Sequence, residues 1–268
     1  MAYSALMRVM VEAARKAGRS LSRDFGEVQN LQVSMKGPGD YVSQADRKAE
    51  EIIFTELSRA RPGYSFLMEE RGVVEGEDAQ HRWIVDPLDG TTNFLHGIPI
   101  FAVSIALERQ GQLQAALVYN PAMDELYTAE RGGGAFMNDR RLRVAGRSKL
   151  SDSVIGTGIP HLGRGHHGNA LIELRNVMGE VSGIRRMGAA ALDLAYVAAG
   201  RLDGFWENGL SPWDMAAGLL LIREAGGFAS DRDGGQEMFD TGTVVAGNET
   251  IHRVLLRQLR KPLAPRPA

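Results

Sequence analysis

The stretch at residues 83–94, which reads W-I-V-D-P-L-D-G-T-T-N-F, constrains the fold of this chain more than any other. Its first three residues are apolar and β-prone, and they predict a short buried strand that ends at Asp86. Pro87 then removes a backbone donor, and Gly90 permits a tight turn. We therefore expect Asp86 and Asp89 to lie at the mouth of a strand, on a surface turn.

The residues that follow the two carboxylates are small. Gly90, Thr91 and Thr92 can present backbone N–H groups that open a helix or form an anion-binding nest. Carboxylates beside such N–H groups suit a hard cation and an anion bound side by side, which is what a metal-dependent phosphatase needs. The D-P-x-D-G core alone is also common in ordinary turns, so at this point a turn without function remains open.

Composition narrows the choice of function. The chain has 268 residues, enough for one large domain or two small ones, and its net charge of −2 gives no indication of a nucleic acid or an anionic membrane as partner. The absence of cysteine excludes disulfides, thiolate zinc sites and a cysteine nucleophile. No apolar run is long enough to span a bilayer and the N-terminus has no signal-peptide core, so we expect a cytoplasmic enzyme.

The first half of the chain alternates helical and strand patterns. It predicts an amphipathic helix at residues 4–22, two short strands around a Gly/Pro turn at 33–46 and a second helix at 47–59. A strand with an acidic end at 64–70, a polar mobile loop at 72–80 and two strand pairs at 101–119 and 125–138 follow. Asp46 leads the second helix, in the first-turn position that favours a carboxylate. Glu69 and Glu70 end the strand before the loop, and by themselves they would be an ordinary solvated strand end.

The second half begins after a composition shift at residues 141–153, which we take as the boundary between halves 1–145 and 146–268. Its pattern predicts a strand at residues 154–158, an alanine-rich helix at 185–200 and a strand end at 205–207. A capped helix at 212–225 and a buried strand at 244–248 follow. In the capped helix, Ser211 suits the N-cap, Pro212 the first helical position, and Asp214 completes a capping box. Capping alone would therefore explain Asp214.

Two other patterns indicate no site. Gly156 and Gly158 begin a G-x-G, but His161 occupies the third glycine position, so the dinucleotide fingerprint fails. His161, His166 and His167 lie in a glycine-rich loop without an acidic or cysteine partner at metal spacing, so we expect no zinc there.

The full stretch at residues 83–94 closely resembles the inositol monophosphatase family motif D-P-[LI]-D-G-T-x-N-F. A second stretch, W-D-x-A-A-G at residues 213–218 followed by E-A-G-G, resembles the other hallmark of that family. The resemblance extends in order from about Lys36 to Asn248 and is strongest to the bacterial inositol-1-monophosphatase branch. It implies an α/β fold, a layered αβαβα sandwich of the inositol monophosphatase/fructose-1,6-bisphosphatase type. The N-terminal half would be α+β and hold most metal ligands, and the C-terminal half would be α/β.

The resemblance also implies two or three Mg2+ ions in each active site. Glu69, Asp86 and the Leu88 carbonyl would hold one ion. Asp86, Asp89 and Asp214 would hold the second, and a third, looser ion would lie near Glu69. Oxygen donors of this kind are the ligands that Mg2+ prefers.

Further roles follow from the same resemblance. The catalytic residues would be Asp46, Thr91 and Glu69, of which Thr91 and Asp46 would orient the attacking water. The N–H groups of Gly90 and Thr91 would hold phosphate, without a covalent phosphoenzyme. Substrate-binding residues would be Asp89, Gly90, Thr91, Ala190, Glu207 and Asp214, and possible further members are Lys36, Glu70 and Arg186. Two residues depart from the family pattern, because Met68 replaces the usual glycine and Ala189 the usual Ser or Thr.

The function implied by the resemblance is Mg2+-dependent hydrolysis of a phosphate monoester, with inositol 1-phosphate as the expected substrate. It further implies inhibition by lithium and a homodimer, for which Arg185 and Arg186 offer a candidate interface. We expect no requirement for nucleic acid or a membrane. A sister phosphatase acting on fructose 1,6-bisphosphate, histidinol phosphate or adenosine 3',5'-bisphosphate remains open, as does a regulatory interaction protein that retains the fold.

Overall fold

The computed structural model describes residues 3–25, 33–37, 40–161 and 165–261. In these ranges the helices are α1 (Ala5–Phe25), α2 (Gln44–Ala60), α3 (Thr91–Leu95), α4 (His167–Met178), α5 (Ala190–Ala198), α6 (Pro212–Glu224), α7 (Met238–Thr241) and α8 (Glu249–Leu259). The strands of the same ranges are β1 (Val33–Gly37), β2 (Asp40–Ser43), β3 (Tyr64–Met68), β4 (Gly72–Val74), β5 (Asp78–Asp89), β6 (Ala102–Arg109), β7 (Gln112–Asn120), β8 (Glu125–Glu130), β9 (Gly134–Met137), β10 (Arg140–Arg141), β11 (Val154–Thr157), β12 (Gly183–Arg185), β13 (Gly204–Asn208), β14 (Phe228–Ser230) and β15 (Thr243–Gly247).

The strands form two main sheets and one separate hairpin. The large sheet has the order β10-β9-β8-β7-β6-β5-β3-β4, and its pairs are antiparallel except for β3 and β5. The small sheet has the order β12-β11-β13-β15-β14, in which the first three strands are parallel and β15 is antiparallel to both neighbours. β1 and β2 pair with each other alone. In the small sheet, helix α4 connects the parallel strands β11 and β12, and helix α5 connects β12 to β13.

Apolar faces stack these elements into five layers. The apolar stripe of α1, which includes Met7 and Met10, packs with Ile53 of α2 against one face of the large sheet. Helices α5 and α6 lie between the two sheets, and every residue of α5 is buried. Helices α4 and α8 cover the outer face of the small sheet. The resulting order of helix, sheet, helix, sheet and helix confirms the predicted αβαβα sandwich.

The structure corrects two predicted elements. Residues 72–80 are not a loop throughout, because β4 and the start of β5 lie within them. The predicted helix at 185–200 begins only at Ala190, since Arg185 ends β12 and Gly188 has a φ of 85° that no helix accommodates.

The predicted boundary at residues 141–153 falls between the two sheets, because β10 ends at Arg141 and β11 begins at Val154. One buried cluster nevertheless contains Ile84 and Tyr127 together with Leu192 and Phe205, so the two halves share a core. The division into 1–145 and 146–268 therefore remains our proposal for the organisation of the chain.

Candidate active site

A cavity of about 170 Å3 opens where the end of β5 meets the N-terminal ends of α5 and α6. It brings together most of the predicted site residues: Glu69, Asp86, Leu88, Asp89, Gly90, Thr91, Arg186, Ala190, Glu207 and Asp214. Asp46 and Glu70 do not line the cavity, although Asp46 contacts Thr91, and Lys36 is on β1 with its side chain outside the described part of the structure. Residues that are far apart in sequence therefore form one site.

The two motif aspartates are buried within a strand, which corrects the expectation of a strand that ends at Asp86 and a surface turn. β5 continues to Asp89, and its pairing with β6 shifts by one residue, because Asp86 faces Ser104 and Asp89 faces Ala102. Asp86 is 2% exposed and Asp89 8% exposed. The Oδ1 atom of Asp86 accepts the Leu88 N–H at 2.9 Å, which fixes the irregular segment around Pro87.

Asp89 also holds the second half of the site. Its Oδ2 atom accepts the backbone N–H of Ala191 at 2.7 Å, in the first turn of α5. The N-cap of this helix is Ala189, which has no side-chain oxygen, so Asp89 satisfies a helix-terminal donor from another element. The local sequence contains no signal for this contact, because its two members lie in different halves of the chain.

Thr91 joins the motif to α2. Its Oγ1 atom lies 2.9 Å from Oδ1 of Asp46 and 3.1 Å from the carbonyl oxygen of Leu88. Asp46 is 1% exposed, so its carboxylate is presented to Thr91 from the interior. A hydroxyl has one hydrogen and two lone pairs, and a Thr91 that donates to Asp46 can still accept a hydrogen bond from a water molecule.

Gly90 is required by the geometry of the same turn. Its φ of 89° is in the left-handed region, and a Cβ at this position would lie 2.8 Å from the carbonyl oxygen of Ile100. Asn93, two residues into α3, donates to the carbonyl oxygens of Ile100 and Met187, at 2.8 Å each. These bonds hold the loop before α5 against the motif.

The acidic turn after β3 is anchored through its backbone. Glu69 donates its N–H to the carbonyl oxygen of Val85 at 3.2 Å, and its side chain lines the cavity. Glu70 donates its N–H to Oε2 of Glu50, a buried residue of α2. Met68, which replaces the family glycine, is 0% exposed and packs in the core beneath α1 and α2, so its side chain does not enter the cavity.

The C-terminal half supplies three further charged groups. Asp214 accepts the Ser211 N–H at 2.6 Å in the predicted capping box, at the start of α6. Glu207, on β13, lies directly over Gly158, where a Cβ would collide with its carboxylate. Arg186 is exposed at the rim of the cavity, with its guanidinium beside Gly188. The glycine at position 158 thus has a packing reason that the sequence pattern did not reveal.

Burial and the neighbouring carboxylates raise the pKa values of Asp86 and Asp89. Burial is the main reason why the pKa of Asp86 is raised well above 3.8, and Glu69, Asp89 and Asp214 raise it further. The pKa of Asp89 is also raised, first by burial and then by Asp214, against the lowering effect of the Ala191 N–H. Carboxylates in such a place bind protons or a compensating cation.

Asp193 is a further acidic group that the sequence analysis missed. It lies on α5, is 1% exposed, and its Oδ1 has no hydrogen-bond partner among the described residues. Burial raises its pKa well above the ordinary value, with Glu207 and Asp89 adding to the effect. Asp193 therefore interacts electrostatically with two carboxylates of the cavity, although it does not line the cavity itself.

The donor set fits Mg2+ in its chemistry. The cavity contains the carboxylates of Glu69, Asp86, Asp89 and Asp214 and the backbone of Leu88, all oxygen donors, and Asp86 and Asp89 are buried. In the described ranges, no three Asp, Glu or His side chains are already drawn together closely enough to enclose an ion. A bound ion would compensate the negative charge that these carboxylates carry when ionised.

Comparisons with known proteins agree over nearly the whole chain. The sequence model of the inositol monophosphatase family matches residues 2–263. The chain is 82% identical to a protein of Mesorhizobium japonicum named inositol-1-monophosphatase, over 99% of this chain and 100% of the relative. It is 47% identical to a protein of Pseudomonas aeruginosa named Nus factor SuhB, over 97% of each. The crystal structure of extragenic suppressor protein suhB from Bartonella henselae, 68% identical, superposes with a TM-score of 0.95 and covers 97% of this chain and 100% of that one. The chain belongs to the inositol monophosphatase family.

Proposed function

We propose that the protein is a Mg2+-dependent phosphate monoester hydrolase, and specifically an inositol-1-monophosphatase that releases inositol and inorganic phosphate. The observation that carries the proposal is the cavity in which the buried Asp86 and Asp89 meet Glu69 and Asp214. The name of the Mesorhizobium japonicum relative, at 82% identity, supports the choice of inositol phosphate.

In this proposal the oxygen donors divide between two main ions. Glu69, Asp86 and the Leu88 carbonyl hold one ion, Asp86, Asp89 and Asp214 hold the second, and a third is held loosely near Glu69. When bound, Mg2+ supplies charge neutralisation for the phosphoryl oxygens, activation of a water and stabilisation of the leaving alkoxide. Uncatalysed hydrolysis of a phosphate monoester is among the slowest known reactions, which is why such charge compensation is needed.

The protein's own groups orient the reactants. Thr91, which lies within hydrogen-bonding distance of Asp46, accepts a hydrogen bond from the attacking water and so directs the water's lone pair at phosphorus. The N–H groups of Gly90 and Thr91 hold the phosphoryl oxygens, and no covalent phosphoenzyme forms. Glu207 and the backbone near Ala190 hold the ring hydroxyls, and Arg186 lies at the rim, where it can attract the anionic substrate.

The proposal includes a cytoplasmic homodimer that needs neither nucleic acid nor a membrane for catalysis. Among the described residues, no helix combines the length and the apolar character that crossing a bilayer requires. A second role as a regulatory interaction protein is favoured by one observation, the Nus factor name of the Pseudomonas aeruginosa relative. A variant without phosphatase activity that still replaces the intact protein in cells would support that second role.

The test is phosphate release from a panel of monoesters with Mg2+ and with a chelator. The panel contains inositol 1-phosphate, fructose 1,6-bisphosphate, histidinol phosphate, adenosine 3',5'-bisphosphate and p-nitrophenyl phosphate. We expect Mg2+-dependent release with the highest kcat/KM for inositol 1-phosphate. A higher value for another ester would move the assignment to a sister phosphatase, and no release from any ester would reject the hydrolase.

A further inference from the structure

Helix α2 carries two buried carboxylates one turn apart. Asp46 is 1% exposed and Glu50 is 2% exposed, and they lie on the helix face that also buries Ala49, Ile53 and Leu57. A spacing of four residues places two side chains on the same side of a helix. Because a carboxylate on an apolar face is costly unless it is hydrogen-bonded, the partners of Glu50 indicate why it is there.

Glu50 binds the backbone of the turn that presents Glu69. Its Oε2 atom accepts the N–H of Glu70 at 2.9 Å and, more weakly, the N–H of Arg71 at 3.4 Å. Its other oxygen, Oε1, lies 3.3 Å from Nε of Arg71. One side chain therefore engages both residues that follow Glu69 in the turn between β3 and β4.

We propose that Glu50 is a positioning residue for the metal site, one that fixes the orientation of Glu69 by holding the backbone after it. The inference rests on the proposed function, since Glu69 is there a ligand of Mg2+. The same helix contacts the other side of the site, because Asp46 lies 2.9 Å from Thr91. α2 thus aligns the segment after β3 with the segment at the end of β5.

The turn also has anchors besides Glu50, including the pairing of Met68 with Gly72 at its two ends. Towards the strand, the Glu69 N–H is held by the Val85 carbonyl at a distance of 3.2 Å, which is the long end for such a bond. On the other side, Gly72 has a φ of 72° and begins a three-residue strand. Without Glu50, the N–H of Glu70 loses its acceptor and the turn can rotate Glu69 away from the cavity. Loss of a group that orients a metal ligand typically weakens metal binding about 10–100-fold.

The experiment compares Glu50→Ala and Glu50→Gln with Glu51→Gln as the matched control. Glu51 is the next residue on α2, is exposed, and contacts the guanidinium of Arg71 but not the backbone of the turn. Mn2+ binding by the substrate-free protein, followed by electron paramagnetic resonance, gives a readout independent of turnover. We expect Glu50→Ala to weaken Mn2+ binding about tenfold or more, Glu50→Gln to weaken it less because its amide oxygen still accepts one N–H, and Glu51→Gln to leave it unchanged.

The same variants are assayed for the Mg2+ concentration that gives half-maximal activity, with thermal unfolding as a check on the fold. If a Glu50 variant is folded and needs a higher Mg2+ concentration for half-maximal activity, the result supports positioning. If the variant has a lower melting temperature but an unchanged Mn2+ affinity, the role of Glu50 is purely structural and the proposal is overturned. If Glu50→Ala does not fold, Glu50→Gln decides by the same measure. A wild-type protein that binds Mn2+ but hydrolyses no ester would reject the proposed function, while the Mn2+ comparison would still decide the role of Glu50.

Discussion

Asp89 accepts a hydrogen bond of 2.7 Å from the backbone N–H of Ala191, across 102 positions of sequence. The bond joins the end of the large sheet to the first turn of the helix between the two sheets. Formation of the cavity is therefore coupled to the packing of the two halves, because the same carboxylate lines the cavity and caps α5.

Substitution of Asp89 by asparagine separates its two roles. The amide oxygen can still accept the Ala191 N–H, so we expect Asp89→Asn to fold, while the loss of a metal-holding charge lowers kcat at saturating Mg2+ at least about a hundredfold. Steady-state kinetics and circular dichroism check the two parts. Turnover near that of wild type would reject Asp89 as a metal ligand.

The acidic cavity also predicts a coupling between pH and Mg2+. The pKa values of Asp86 and Asp89 are raised above 3.8 in the folded protein, so the folded state binds more protons than the unfolded state at mildly acidic pH. Their contribution is thus fully present below about pH 4, and stability is lost as pH rises through the raised values. We expect the melting temperature of chelator-treated protein to fall as the pH rises above the ordinary carboxyl range, and Mg2+ to reduce that fall.

The quantity to measure at each pH is the difference in melting temperature between the samples with and without Mg2+, because titrations elsewhere in the chain contribute to both and cancel. Asp86→Asn is the control, because it removes one of the buried carboxylates and should therefore reduce the difference in melting temperature between the samples with and without Mg2+. Parallel curves for wild-type protein would contradict a cation that replaces protons at these residues.

The sequence predicted those features whose cause is local. The capping box at Ser211 and Asp214 is present at the start of α6, because its members lie within one turn of each other. The stripe of α1 also follows from helical spacing alone. The predicted helix at 185–200 was wrong at its start, because the left-handed φ of Gly188 is a property of the loop that packs against Asn93.

The missed members of the site have partners from distant segments. The pattern placed Glu50 on a helix but contained no sign that the residue would reach the backbone after β3, twenty positions away. The G-x-G at 156–158 was tested only against a dinucleotide loop, whereas Gly158 makes room for Glu207. Such contacts are set by the stacking of layers, which a pattern in one segment does not encode.

Lithium sensitivity follows from family resemblance and is open to a direct test. A small monovalent cation could occupy the loosest of the proposed ion positions, near Glu69, and retard phosphate release. We expect inhibition at roughly tens of millimolar LiCl, the range for a weak hard-cation site, with NaCl as the control for ionic strength. Full activity in LiCl would count against the inositol phosphate assignment.

The proposed homodimer requires a surface, and the structure narrows the candidates. The alanine-rich α5 is wholly buried and presents no interface, whereas Arg185 and Arg186 before it are exposed. Ile98 is 45% exposed and Met123 is 44% exposed. Asn120 connects their segments, because its side chain donates a hydrogen bond to the Pro99 carbonyl and accepts one from the Met123 N–H. Exposed apolar side chains on adjoining segments are candidates for an interface.

We expect light scattering at micromolar concentration to give the mass of a dimer, which is the commonest closed assembly. Met123→Asp should shift the measured mass towards that of the monomer. Val73→Asp is the matched control, since Val73 is also exposed, at 59%, but lies on β4. A wild-type monomer would reject the dimer, and equal shifts in both variants would reject this surface.

The substrate preference is predicted to depend on Glu207. Its side chain lines the cavity from β13, where a carboxylate can accept hydrogen bonds from ring hydroxyls. Such bonds to a charged acceptor contribute roughly 1.5–3 kcal/mol each, so we expect Glu207→Ala to lower kcat/KM for inositol 1-phosphate about tenfold or more. Hydrolysis of p-nitrophenyl phosphate, which has no ring hydroxyls, should be unchanged.

Gly158→Ala provides an independent test of the same carboxylate, because the added methyl group would occupy the space in which the Glu207 carboxylate lies. It should displace that carboxylate while leaving Glu207 in the chain, and therefore reproduce the loss on inositol 1-phosphate with little effect on p-nitrophenyl phosphate. Equal losses on both substrates in Glu207→Ala would instead assign the residue to the ions or the fold. If neither variant affects either substrate, the ring is held by other groups in the cavity, such as the backbone near Ala190.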